Sequence, residues 1–155
     1  MNAESIEKYE AGADILTKAI EGLTDAQLIA RPIAGTWNIR EIILHLMDSD
    51  AVGVDRMKRV IAMPNPLLMS YDENAFMSLL DYSAVDIRDC IETFRLNRLQ
   101  LVSVLKKLPK EAFQRSGIHS ETGKQTLAQL LLKYVHHLEG HMVHLRKKRT
   151  MVEHI

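Results

Sequence analysis

Helical periodicity restricts the fold of this chain more than any other feature. Four long segments carry apolar residues three and four positions apart, and no run alternates long enough to read as a strand. The first has Ile6, Tyr9, Ala13, Leu16 and Ile20 in register. "LTDAQL" follows, with Thr24 and Gln27 spaced as a capping box for a short extra turn. Pro32 and Gly35 interrupt the chain, and Asn38 then precedes a second pattern of Ile39, Ile43, Leu46, Val54, Met57 and Ile61. The two prolines of "MPNPLL" cannot continue a helix and end it. Ser83 and Asp86 open a third segment, with a face of Ala84, Ile87, Ile91, Phe94, Leu101, Val102, Leu105 and Leu108, closed by Pro109. The fourth carries Leu127, Leu130, Tyr134, Leu138 and Leu145. Helices of about 20 to 25 residues in this number predict an all-α four-helix bundle. The connection between the second and third holds "DENAFMSLLDY", which predicts a short extra helix. The connections are long enough to permit a topology other than simple up-and-down.

Composition narrows the function classes. With 155 residues, 46% of them hydrophobic, the chain suits one domain, residues 1–155, with a real core. Twenty basic residues balance twenty acidic ones, so nothing general attracts nucleic acid. The run "RKKR", Arg146 to Arg149, fits a helix C-terminus complementing the helix dipole. No apolar run approaches the about 20 residues of a membrane span. "MNAESIEKYE" lacks the apolar stretch of a signal peptide. The single cysteine, Cys90, excludes an intrachain disulfide and a cysteine-based zinc cluster, and it fits the cytoplasm. A metal site in this chain has to use His, Asp and Glu.

"YVHHLEGHMVHL", Tyr134 to Leu145, holds four of the seven histidines. At about 100° per residue, His137 and His141 lie about 40° apart, one turn above the other. The apolar stripe of the fourth helix falls within about 60° of His141, so both point into the bundle. His144 sits at the edge of that face, and His136 faces solvent. Two hydrogen-bonded core histidines are one reading. An inward pair at i and i+4 is costly unless something uses both rings, and metal binding is the commonest such use. "HHLEGH" only imitates the zinc-protease H-E-x-x-H, because Glu139 comes two residues after His137 and turns about 160° away from His141. "HLMDSD" offers His45, Asp48 and Asp50 as further candidates, with His45 at the flank of its apolar stripe, where periodicity leaves its role open. Asp50 lies mid-stripe on the second helix and Arg98 mid-stripe on the third. A lone carboxylate is costly there, which predicts that the two are paired.

The order "GTWNIREIILHLMDSD", then "YDENAFMSLLDY", then "HSETGKQTLAQLLLKYVHHLEGH" resembles the DinB superfamily, and within it the branch of YfiT-like metal-dependent hydrolases and bacillithiol transferases. The likeness runs through nearly the whole chain. Its diagnostic part is Trp37 followed by His45 and Asp48, with H-x-x-x-H on the last helix. It implies an up-down-down-up bundle that dimerises and binds one divalent metal, zinc or nickel, through one histidine of the second helix and two of the fourth. By position these are His45, His137 and His141. Relatives of this branch often read H-x-x-D-S-H where this chain has Asp50, so any role of that second histidine is absent here.

Three neutral histidines with an open position make a catalytic rather than a structural arrangement. Such a metal lowers the pKa of bound water to about 7, giving a hydroxide for hydrolysis, or binds a thiol as its thiolate. The resemblance to bacillithiol transferases implies the second use, transfer of a low-molecular-weight thiol onto an electrophile. Asp48, one turn beyond His45, is a candidate proton acceptor or metal-supporting carboxylate. Tyr71 matches a family tyrosine at the pocket mouth, and His144 joins Asp50 and Arg98 as pocket or supporting candidates. Trp37 is expected to pack at the start of the second helix, and His119 is a lesser candidate for a second site. Cys90 falls near a buried face, so the thiol comes from a cosubstrate. The competing class is a non-enzymatic helical bundle that dimerises or docks a partner.

Overall fold

The computed structural model of the chain describes residues 2–153. Its first arm is α1 (Asn2–Ala11) and α2 (Ile15–Ile20), followed by the short α3 (Asp25–Ile29). The long α4 (Ile39–Ala62), α6 (Ile87–Leu105) and α7 (Leu127–Val152) complete the bundle, and α5 (Glu73–Leu79) is the short helix expected between the second and third. Capping boxes at Thr24–Gln27, Asn38–Glu41 and Thr126–Gln129 start α3, α4 and α7, each satisfying two otherwise orphaned N–H groups. The Asp86 side chain caps α6 from its N-cap position, one step before Ile87.

Side-chain contacts set the helix directions. Arg40 reaches the carbonyls of Tyr82 and Val85, and Asp50 meets Arg98, so α4 and α6 run parallel. Thr36 meets Lys148, while His45 meets His137, so α4 and α7 run antiparallel. Gly12 packs on Leu138, and Arg149 donates to the carbonyl of Ala19, so the first arm runs with α7. The result is the up-down-down-up order.

The structure departs from the periodicity in three places, one of them α6, which begins only at Ile87 and leaves Ser83 and the exposed Ala84 outside it. The first arm is not one helix: it breaks between Ala11 and Ile15. A β-carbon at Gly12 would lie 2.6 Å from Arg98 Nη1 and 2.7 Å from a Leu138 methyl. The glycine and the interruption make room for the guanidinium, which donates to the Tyr9 carbonyl at 3.4 Å. The all-helical expectation also needs one addition, a three-stranded sheet of β1 (Leu67–Leu68), β2 (Ser116–His119) and β3 (Gly123–Thr126). β2 pairs antiparallel with β3, His119 opposite Gly123, and parallel with β1, Leu68 opposite His119. The sheet ties both long connections together at one end of the bundle and so positions Tyr71 and His119. Among the described residues no helix is long and apolar enough to cross a membrane.

The core falls into two apolar clusters, one at each end of the bundle. Tyr9, Met57, Leu101, Leu105 and Leu130 fill the sheet end, and Leu16, Ile39, Ile43, Phe94 and Leu145 the other. Burying each such side chain is worth about 1.5–3 kcal/mol. Between the two clusters lies a polar layer: the Asp50–Arg98 pair and the histidines.

Candidate metal centre

Where α4 and α7 cross, each helix gives up apolar packing for imidazoles. His45 is 2% exposed, despite its place at the flank of the α4 stripe. At this turn Ile42, Ile43, Leu44, His45 and Leu46 are all buried, because α4 packs on α6 with one side and on α7 with another. His137 and His141 enter from α7, half-buried, one turn apart. The ligand nitrogens of His45, His137 and His141 lie within 4.8 Å of one another. His45 Nε2 is 3.1 Å from His137 Nε2, and the three ring centroids are 4.6 to 5.1 Å apart. Trp37 closes one side, its ring 4.8 Å from His45 and stacked on His141 at 6.4 Å. The tryptophan that packs at the start of α4 thus also roofs the histidines.

Burial holds these rings neutral. It pushes His45 down to about 4, with help from His141, and His137 down to about 3, with help from His141 and His45. His141 is lowered for the same reason, with His144 adding to the effect. Neutral imidazoles offer free lone pairs at pH 7, the form a metal needs. Nitrogens about 2.0–2.1 Å from a tetrahedral zinc ion stand roughly 3.4 Å apart; the His45–His137 pair at 3.1 Å is close to that, and the whole set lies within 4.8 Å. The donor set therefore fits one divalent ion, and no cysteine or backbone group has to be recruited.

A cleft of about 190 Å³ opens beside the triad. His137, Ser49, Tyr71 and Tyr134 line it with His119, which places two connection residues at one mouth. His119 Nδ1 accepts from the backbone N–H groups of Glu121 and Thr122, at 3.2 and 3.4 Å. That fixes its tautomer and leaves Nε2 as the donor. Arg56 and Lys133 supply positive charge, and Glu73 and Glu121 negative. Arg56 is 6% exposed; it donates to the Tyr134 hydroxyl at 3.1 Å and to the Met69 carbonyl. Glu73 Oε2 is 3.6 Å from His45 Nε2, the carboxylate oxygen that touches the triad.

The remaining candidates are placed as follows. Asp50 Oδ1 accepts from Arg98 Nε at 2.9 Å and Nη2 at 2.8 Å, and its Oδ2 from the Tyr9 hydroxyl at 3.3 Å. The expected pair is present, but it lies sealed in the core and does not line the cleft. Asp48 is half-buried and accepts from the Tyr82 hydroxyl, and burial pushes its carboxyl up. It is not among the groups clustered with the histidines. His144 is exposed and lines a different cavity, on the far side of His141. His136 and Glu139 face solvent as the helical geometry requires. Cys90 is 3% exposed, and burial pushes its thiol up. Glu73 and Arg56 were missed by sequence reasoning; Glu73 sits in a short helix with no buried face, where periodicity carries no signal.

The family model of the DinB superfamily matches residues 8–145. The chain belongs to the DinB superfamily. This DinB-superfamily protein is 29% identical over 131 residues to YfiT of Bacillus subtilis, a relative named as a proposed metal-dependent hydrolase; the match covers 84% of this chain and 74% of that one. It is 27% identical over 142 residues to a similarly named protein of Oceanobacillus iheyensis, OB0782, covering 92% and 82%. The solved structure of Bacillus subtilis YfiT, described there as a proposed metal-dependent hydrolase with an unusual four-helix bundle topology, superposes with a TM-score of 0.87 at 27% identity, over 95% of this chain and 85% of that one. The helix order read from the contacts is shared with that solved structure.

Proposed function

We propose that this DinB-superfamily protein is a metal-dependent enzyme in which His45, His137 and His141 hold one divalent ion, zinc or nickel, and that it transfers a low-molecular-weight thiol onto an electrophile. The convergence of three neutral nitrogen donors at the edge of an open cleft carries the reading. When bound, an ion on three uncharged ligands keeps its full charge and stabilises the deprotonated form of a water or thiol at neutral pH. The chain's own groups do the rest. Glu73 Oε2 stands where it can take the proton of the incoming nucleophile. Arg56, Lys133 and the Nε2–H of His119 orient a cosubstrate that carries carboxylates. Trp37 packs against the His45 and His141 rings and holds their orientation. Because Cys90 is buried and its thiol raised, the sulfur nucleophile comes from the cosubstrate. Hydrolysis is the second reading, favoured by the names of the relatives, and it uses the same residues with water as nucleophile.

The deciding experiment loads the purified chain with zinc or nickel and offers a panel of small thiols with 1-chloro-2,4-dinitrobenzene, alongside a panel of simple esters and amides. Metal-dependent thiol conjugation that saturates with one thiol supports transfer. Turnover of the hydrolytic panel alone replaces it with hydrolysis, and inactivity of the metal-loaded chain on both overturns the enzyme reading. We also propose that the chain is a homodimer. Exposed Leu67 and Ile118, partners in the sheet, support self-association, and a sizing column with light scattering reads it directly.

A further inference from the structure

The basic run at the end of α7 holds more than a helix-dipole device. Arg149 does serve a helix end, donating to the carbonyls of Ala19 at 2.6 Å and Glu21 at 2.8 Å. Lys148 does something else. It is 4% exposed, and among the described residues no carboxylate lies within ion-pair distance of its ammonium. Its one bond is to the Thr36 hydroxyl, whose own proton goes to the Ile33 carbonyl at 2.9 Å. Glu41, whose charge reaches Lys148, is already bonded to Arg31 at 2.6 Å and to the Asn38 N–H at 2.8 Å. An ammonium has three protons to donate, and the Thr36 hydroxyl takes one of them, which leaves the others for a ligand.

This ammonium belongs to a residue lining a cavity of about 270 Å³. Ile33, Ile42 and Trp37 give the cavity apolar walls, Lys147 adds a second ammonium to its lining, and the His144 and neutral His141 rings complete it. Among the described residues no Asp or Glu lines it, in contrast with the cleft on the His137 side, where two glutamates offset two cations. Its size is just under the about 300 Å³ at which pockets for drug-sized molecules begin, so the occupant is about one ring in extent.

We propose that this cavity binds a small organic carboxylate with a flat apolar body, the carboxylate on Lys148 and the body against Trp37 and Ile42. Charge complementarity selects the anion: among the described residues Lys147 and Lys148 line the cavity and no carboxylate does. The indole face and isoleucines select the body, since a bare inorganic anion would leave them wet. The ligand would lie against His141 and so beside the metal centre, on the side opposite Glu73. None of its partners needs a metal, so the binding stands whether or not the enzymatic reading does.

Trp37 is the only tryptophan in the chain and lines the cavity, which makes it a built-in reporter. The test titrates the full chain, metal-loaded and chelator-treated, with 4-nitrobenzoate and with its uncharged amide 4-nitrobenzamide, and follows Trp37 quenching corrected against free N-acetyltryptophanamide. The expected result is saturable quenching by the acid in both forms of the protein, with the amide binding about ten-fold or more weakly. K148M is expected to weaken the acid about ten-fold and leave the amide unchanged, while Lys124→Met, on the exposed hairpin, changes neither. Equal binding of acid and amide, no saturation by either, or a K148M chain that folds and binds as the parent overturns the proposal. If K148M fails to fold, the acid-to-amide ratio on the parent decides alone. Loss of binding on chelation would move the anion to the metal and overturn the assignment to Lys148.

Discussion

Changing Asp50 to Asn removes one charge from the core while keeping shape and one acceptor oxygen. In the folded chain Asp50 is 2% exposed and Arg98 1%. Burial pushes the Asp50 carboxyl up, and the Arg98 guanidinium and the Tyr9 hydroxyl oppose it. Without the carboxylate the guanidinium keeps its contacts with the rings of Tyr9 at 4.3 Å and Phe94 at 4.4 Å, and its bond to the Tyr134 carbonyl at 3.3 Å. None of these supplies a countercharge. Breaking one partner of a buried pair costs about 3–5 kcal/mol, chiefly for stranding the other charge. For a chain of 155 residues each kcal/mol moves the midpoint by roughly 2–4 °C, so D50N should melt about 6–20 °C lower. Urea unfolding followed by far-UV circular dichroism gives the free energy directly. The D50N/R98M double variant strands neither charge and should be more stable than the sum of the single losses by about 2 kcal/mol or more. A D50N loss below about 1 kcal/mol, or additive losses in the double variant, would refute the reasoning.

Three further outcomes are expected. Because burial depresses His45 to about 4 and His137 to about 3, the unfolded chain takes up protons between pH 6.5 and 4 that the folded metal-free chain does not. Stability is then full above pH 6.5 and falls as pH drops toward 4, by up to about 3 kcal/mol from His45 alone; a flat urea midpoint between pH 7.5 and 4.5 contradicts this. Gly53→Ala puts a β-carbon into the Tyr134 ring where α4 and α7 meet, so it should cost about 1–3 kcal/mol and weaken metal binding in a titration; unchanged values would show that the helices can separate freely. Glu73→Gln should lower turnover at least about ten-fold while metal content stays at the parent level, and full activity in that variant removes Glu73 from the proton path.

The bundle was legible because its helices are long and each buries one clear stripe. His137 and His141 could be read from the same geometry, since the rest of the α7 stripe defines which way is inward. Asp50 and Arg98 were legible as a pair because a charge at the centre of an apolar stripe has few affordable partners. His45 was not legible from periodicity. α4 is buried on two sides, so its stripe centre faces α6 while His45, at the flank, faces α7. The break at Gly12 follows from a guanidinium that arrives from α6, far away in sequence. Strands of two and four residues are too short to show alternation. Glu73, Arg56 and the cleft role of His119 depend on how two long connections fold back on the bundle, and no local pattern encodes that.

Metal stoichiometry tests the central claim most directly. The purified chain, loaded with zinc or nickel and then dialysed, should hold one ion per chain by elemental analysis. His45→Ala, His137→Ala and His141→Ala should each lose that ion while keeping the helical circular dichroism of the parent. A parent that holds no stoichiometric ion under either loading, or a His141→Ala chain that holds it as tightly as the parent, would contradict the account.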